Sequence, residues 1–528
     1  MVLKKFIDQH AKKIEDIEIK SHEAWWNLAT LGEEKYQKLL EETKIALRTI
    51  YSSKEDYEFL LSHKTSEPLL ARQRELLLNQ YKENQIPQEF IEKITTLETE
   101  IEGIYTNFRP SVEGKALSNN DLKKILVESL DSEERKKAWE ASKLIGEQVE
   151  KKVLQLVSFR NESARKAGYP NYYTMSLEIQ ELDEDRLFQI LDSLEKLTNP
   201  HWEKYKAELD EKLAKNYHLS KEELLPWHYH DPFFQEAPRS ELDLDGYYKG
   251  KNLVEMARDF FKEVGLPADD ILARSDLYER EKKSQHAFCS CLDRQQDVRI
   301  LCNMRENEYW MGTLLHELGH GVYDKYIDQN LPYLLRTYAH ISTTEASAMF
   351  FGRFSKNGEF LQRYCGVPEQ EAKKIDLLTK QQTAANLLVF ARWALVMVHF
   401  ERAMYQNPGI DLRSFWWDCV ERFQGVRRAP KRNAPDWASK LHLACAPVYY
   451  QNYALGEMTA SQLFYHVQKM LKAPKESFCS SRKVGEFLQT KLFSQGAKRP
   501  WEEALQIATG EKLNSKFFAQ DIINVKSK

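Results

Sequence analysis

Apolar residues recur at three- and four-residue spacing between charged ones through most of the first 225 positions. Stretches such as Glu33 to Thr49, Leu69 to Lys82 and Pro87 to Tyr105 therefore predict amphipathic helices with solvated charged faces. Asn119-Asn120-Asp121 and Asp131-Ser132-Glu133-Glu134 read as helix starts, their carboxylates suited to the positive end of the dipole. Gly168-Tyr169-Pro170 is a break, and helices resume near Asp183 towards Leu219. Trp25-Trp26 reads as a core anchor. The texture changes at Pro226-Trp-His-Tyr-His-Asp-Pro-Phe-Phe234, a turn-rich aromatic cluster that can line a cleft or pack as a surface loop. A helix is expected from Asn252 to Val264. The one clear strand signal follows at Gln285 to Cys302, where two short runs flank Asp-Arg-Gln-Gln-Asp and read as a hairpin. It serves either as an edge for an extended peptide or as a small structural ribbon. Helical spacing returns from Glu308, in a new helix near Ser342 with Ser342 as candidate cap, from Glu371 through Tyr405, and from Leu412 to Phe423. The pattern is that of an all-α chain, mainly helical, with a small β-hairpin.

Composition narrows the class. At 528 residues, 42% hydrophobic and 12% aromatic, the chain can bury a large core and is long enough for two lobes. The 76 basic side chains face 80 acidic ones, and no basic cluster is interleaved with aromatics, so no nucleic-acid partner is expected. No apolar run approaches a membrane span of about 18 residues, so no membrane association is expected. The seven cysteines are odd in number and widely spread, which points to reduced thiols and a cytoplasmic location.

The chemistry concentrates in His316-Glu317-Leu318-Gly319-His320. Histidines four apart on a helix project from one face, which suits two imidazoles on a single Zn²⁺. Glu317 is rotated by about 100° from His316, beside the metal without ligating it, where it can act as a general base. Leu314, Leu315, Leu318, Val322 and Tyr326 make this helix buried, and burial makes an unpaired polar trio costly. A catalytic zinc needs a third protein ligand. Glu345, in the first turn of the next helix, is favoured over a purely dipolar role there. Asp324 and Asp328 follow His320 too closely to face the same way. Further on, Lys440 to Gly456 gathers Lys440, His442 and three tyrosines beside a proline turn. Tyr453 and His442 are the candidate donors to an oxyanion.

These residues carry a family resemblance. His316-Glu-Leu-Gly-His320, the break at Leu331-Pro332 and Thr344-Glu345-Ala346 resemble the zinc site of gluzincin metallopeptidases. The likeness is to the angiotensin-converting-enzyme-like (M2-type) peptidases, with thimet oligopeptidase, oligopeptidase F and Taq-carboxypeptidase-like enzymes as cousins. Gln285-His286-Ala287 resembles the edge strand that meets the substrate backbone. Lys440-Leu441-His442 and Tyr450-Gln-Asn-Tyr453 resemble the blocks that hold a terminal carboxylate and serve the oxyanion. The resemblance implies two helical lobes around a deep cleft and zinc-dependent hydrolysis of short peptides, by dipeptidyl carboxypeptidase or oligopeptidase action. A single-residue metallocarboxypeptidase or a silent peptide-binding relative is the alternative. It implies one Zn²⁺ on His316, His320 and Glu345, catalysis by Glu317, Tyr453 and His442, and substrate contacts at His286, Ala287, Lys440, Tyr450 and Tyr229. The expected organisation is a helical lobe over 1–225, a catalytic region over 226–465 and a helical segment over 466–528, as a monomer or homodimer. The chain departs from the family at Met349, where an Asp supports a zinc histidine, and at Asn452, where an Arg is tied to chloride activation.

Overall fold

The computed structural model describes residues 2–238, 242–471 and 477–523, so residues 472–476 and 524–528 of the expected C-terminal segment lie outside the description. Helices dominate, with two two-stranded antiparallel sheets among the described residues. The sequence signals explain most boundaries. Ser118 and Asp121 form a capping box on the helix Asn119–Glu128. The Asp131 side chain accepts the Glu133 and Glu134 N–H groups at the head of Ser132–Lys166. Asp183 caps Glu184–Tyr217, and Asn252 caps Leu253–Glu263.

The chain forms two compact units, each assembled from distant segments. One comprises Met1–Gln85, Leu242–Thr379 and Leu455–Phe518, the other Ile86–Glu241, Lys380–Ala454 and Ala519–Lys528. The stretch 1–225 is thus shared between both units.

In the first unit, Phe288–Cys291 pairs with Val298–Leu301, Phe288 opposite Leu301 and Cys291 opposite Val298. The far side of Val298–Leu301 is covered, since the Asp276 N–H donates to Ile300 O and the Cys302 N–H to Asp276 O. Trp26 is buried with Leu292 and Leu301. Trp25 is 37% exposed, its ring 4.1 Å from that of Phe288. A second ribbon, Ser111–Val112 with Lys115–Ala116, carries no hydrophobic alternation and lies outside the sequence expectation. Its turn, Glu113-Gly114, has positive φ at both residues (52° and 81°), the backbone a type I′ hairpin requires.

The helix Glu369–Gln406 is long and apolar enough to cross a membrane by length and composition, and 72% of its apolar window is buried inside the fold. Between Lys380 and Glu401 only Arg392 is charged, and it breaks the apolar run together with Asn386 and His399, so no long uninterrupted run stands out in the sequence.

Candidate metal centre and associated residues

The helix Glu308–Lys325 begins at Asn307, whose side chain accepts the Trp310 N–H. Its Leu314, Leu315, Leu318 and Val322 are fully buried. The helix Ile341–Gly352 packs on it at very short range. A Cβ on Gly319 would lie 2.7 Å from the Ala348 Cα and 2.8 Å from the Ser347 carbonyl oxygen. The Ser347 hydroxyl donates to the Gly319 carbonyl at 2.8 Å. The second helix starts two residues earlier than a Ser342 cap would place it. His340 is the capping residue, its ring nitrogen accepting the Ser342 N–H at 3.1 Å. An imidazole acceptor fills the place usually taken by a hydroxyl or carboxylate.

This contact brings Glu345 to the histidine pair. Glu345 Oε2 lies 3.9 Å from His316 Nε2 and 4.0 Å from His320 Nε2. The donor atoms of the three residues all fall within 4.8 Å of one another, and among the described residues no other His, Cys, Asp or Glu group does so. His320 Nδ1 sits 2.7 Å from Thr344 Oγ1. With Nδ1–H donating to that hydroxyl, the Nε2 lone pair is left for a cation. Burial lowers His316 to about 4, and burial together with His316 lowers His320 to about 3, so both rings are neutral at physiological pH.

Glu317 is 7% exposed. Burial, then the Glu345 charge, pushes its carboxyl up to about 8, while the Cys289 N–H from the hairpin edge donates to it. Burial and then Glu457 push Glu345 up to about 7. Glu457 is paired with Arg353 at 2.6 Å. One buried and one partly buried carboxyl, both held above their ordinary range beside two neutral imidazoles, are a donor set in need of a cation. Two imidazole nitrogens and one carboxylate oxygen are the three protein ligands of a catalytic zinc site, so the residues present fit that metal.

At Gly321 the same helix packs against Ile271, 3.2 Å from a would-be Cβ, and meets Val298 of the hairpin at an ordinary contact distance. Ala287 precedes the strand Phe288–Cys291 and is half-buried, and His286 stands exposed in the bend before it. Met349 lies against Gly456, and Thr344 rather than a residue one turn past Glu345 meets the His320 ring.

The second unit gathers the other candidates. Lys440 Nζ donates to Gln235 Oε1 at 2.8 Å and lies 5.2 Å from the centres of the Phe233 and Trp393 rings. Burial lowers the Lys440 ammonium to about 8, against the charges of Asp231 and Glu236. Tyr450 is buried and its hydroxyl accepts the Trp393 indole N–H. The His442 ring lies 5.3 Å from that of Tyr450 and 6.3 Å from that of Tyr453. Burial, then Lys440, lowers His442 to about 4.

Gln235 is a residue the sequence reading did not single out. Buried Asp231 presents it by accepting the N–H groups of Phe233, Gln235 and Glu236. The aromatic run from Pro226 thus builds a turn ending beside Lys440. Tyr229 in that run is buried, its hydroxyl donating to Asp210 and accepting from Lys206, both at 2.9 Å. Asn452 donates to Gln180 at 2.9 Å and is 1% exposed.

A helix bearing HExxH, followed by a helix bearing a Glu that meets both histidines, is the arrangement of the gluzincin class. The comparisons with known proteins agree with it. Residues 1–230 match the family model described as angiotensin-converting enzyme (peptidase M2), and residues 272–522 match that of peptidase family M3. Each of these stretches is thus similar to one peptidase family, and each model covers less than half of the chain. Carboxypeptidase 1 of Bacillus subtilis (strain 168) is 26% identical over 299 residues, 51% of this chain and 56% of that protein. Thermostable carboxypeptidase 1 of Pyrococcus furiosus is 22% identical over 250 residues, 43% and 49% of the two chains. Angiotensin-converting enzyme of Haematobia irritans exigua is 25% identical over 308 residues, 53% and 49%. The chain spans about half the length of the curated relatives it matches.

Proposed function

We propose that the protein is a zinc metallopeptidase that hydrolyses short peptides. The observation that carries this reading is the convergence of His316, His320 and Glu345 donor atoms within 4.8 Å beside buried Glu317. Zinc held by these three residues supplies a Lewis acid that polarises a carbonyl and acidifies a water. Glu317 takes a proton on its carboxylate and passes it to the leaving amine. Thr344 fixes the His320 ring. The extended Phe288–Cys291 edge, with Ala287 and His286 ahead of it, offers backbone groups to an extended peptide. Tyr453 and His442 serve the oxyanion as donors. That role rests on the likeness of their blocks to the family.

Lys440, with Gln235 and Tyr450 around it, suits a terminal carboxylate, since a desolvated ammonium gains most from an anionic partner. This favours release from the C-terminus over internal cleavage, and two of the relatives are named carboxypeptidases. Seven free thiols support a reducing, cytoplasmic setting. The test is digestion of a ten-residue peptide with a free C-terminus by zinc-loaded protein, with mass spectrometry of the earliest products. A terminal dipeptide or single residue as first product is expected, and which of the two appears decides between dipeptidyl and single-residue release. An internal first cut removes the carboxylate role of Lys440. No cut across several peptides, with zinc bound, overturns the enzymatic reading in favour of peptide binding alone.

A further inference from the structure

The turn that leads into the Tyr450–Met470 helix contains a residue in a conformation its side chain disfavours. Val448 has φ of 52°, the left-handed region, and is fully buried. A β-branched residue is a genuine outlier there, and such a backbone persists only where surrounding groups over-determine it. Three side chains do so. Glu401 Oε1 accepts the Val448 N–H at 2.7 Å. The Val448 carbonyl accepts from Gln180 Nε2 at 2.9 Å and from Gln451 Nε2 at 2.6 Å. Glu401 and Gln451 are 2% and 1% exposed, and Gln180 is held in turn by buried Asn452.

The position of this turn gives the clamp its meaning. Before it lies the short helix His442–Cys445, and after it the helix that carries Tyr450 and Tyr453. The φ of Val448 therefore sets the angle between His442 and the two tyrosines. We propose that Glu401, with Gln180, is a positioning residue that holds Val448 in its left-handed conformation and thereby fixes His442, Tyr450 and Tyr453 relative to one another. Glu401 comes from the long helix Glu369–Gln406, a rigid support far along the chain. Its carboxyl is 2% exposed, with the Val448 N–H at 2.7 Å on Oε1 and the Arg160 charge nearby.

This inference rests on the peptidase reading for its activity readout. The test is a double-mutant cycle between Glu401→Leu and Val448→Gly, scored by kcat and KM on one peptide, with zinc content and thermal melting recorded for every variant. Glycine adopts positive φ without side-chain strain, so it needs no clamp. Glu401→Leu is expected to lower kcat about tenfold or more with bound zinc retained. In the Val448→Gly background the same change should cost less than about threefold. Glu401→Gln, which keeps an acceptor oxygen for the Val448 N–H, should recover most of the kcat lost in Glu401→Leu. Equal penalties in both backgrounds, or a Glu401→Leu enzyme with unaltered kcat, would overturn the proposal. If Glu401→Leu melts below the assay temperature, Gln180→Met replaces it in the same cycle and is judged by the same comparison. A wild-type protein that binds zinc yet cleaves nothing refutes the peptidase reading instead. The clamp is then judged by hydrogen exchange at the amides of 446–453, where Glu401→Leu should speed exchange and Val448→Gly should abolish that difference.

Discussion

At the scale of single residues, the proposed site separates groups that would hold a metal from a group that would use it. Glu317 follows a ligand in sequence yet makes its own contact, accepting the Cys289 N–H. Glu317→Gln keeps size and shape and removes the base. Turnover should fall by about 10²–10⁴ while metal analysis still finds one zinc per chain. Unchanged turnover would place the proton transfer elsewhere. Thr344 has the opposite signature. Its hydroxyl, 2.7 Å from His320 Nδ1, would orient that proposed ligand without touching the metal. Thr344→Val should weaken zinc binding by about 10–100-fold in a chelator competition, with kcat largely restored at saturating zinc. Equal zinc affinity in the two proteins would reduce Thr344 to a packing residue.

Among the elements, the decisive feature is how closely two helices approach. Gly319 is one of the unspecified positions of HExxH, yet a Cβ there would press on the backbone of Ala348 and Ser347. Backbone cannot swing aside as a flexible side chain can. Gly319→Ala should therefore cost about 1–3 kcal/mol in stability and loosen zinc, because the same contact carries Glu345 to the histidines. Gly103, inside the helix Gln88–Asn107, has nothing within 4 Å of its would-be Cβ. Gly103→Ala should stabilise by about 0.5–1 kcal/mol. Chemical denaturation of both variants checks the pair, and a Gly319→Ala protein as stable as Gly103→Ala would refute the close-contact argument. The histidine pair and the helix that brings Glu345 near it were legible because helix periodicity and residue spacing are local. Thr344 sits beside Glu345 in the sequence and was still missed, since its meaning lies in a ring 24 positions away. Gln235 was missed because an Asx-type turn at Asp231 decides where it points.

For the whole molecule, what the sequence hid is which distant segments fold together. Helix boundaries followed from caps and periodicity, but the first unit joins 1–85 to 242–379 and 455–518. Nothing in the local pattern of the first helices announces that partnership. The burial of Trp26 against Leu292 and Leu301 is its physical expression. The assembly makes a prediction about where metal energy goes. All three proposed ligands and Glu317 belong to one unit, on two helices already in contact through Gly319. Without zinc those helices hold two carboxyls, one buried and one partly buried, pushed above their usual range. Zinc at a hundred times its dissociation constant adds about 2.7 kcal/mol to whatever state binds it. Local openings that separate the ligands must pay that amount, and openings elsewhere need not. Adding zinc to chelated protein should therefore slow amide exchange by up to about a hundredfold in Glu308–Lys325 and Ile341–Gly352. Exchange in Ser132–Lys166, which belongs to the other unit, should stay the same. Slowing spread evenly over both units would mean that the metal couples to global unfolding alone. Slowing absent from the two ligand helices would mean that zinc binds elsewhere.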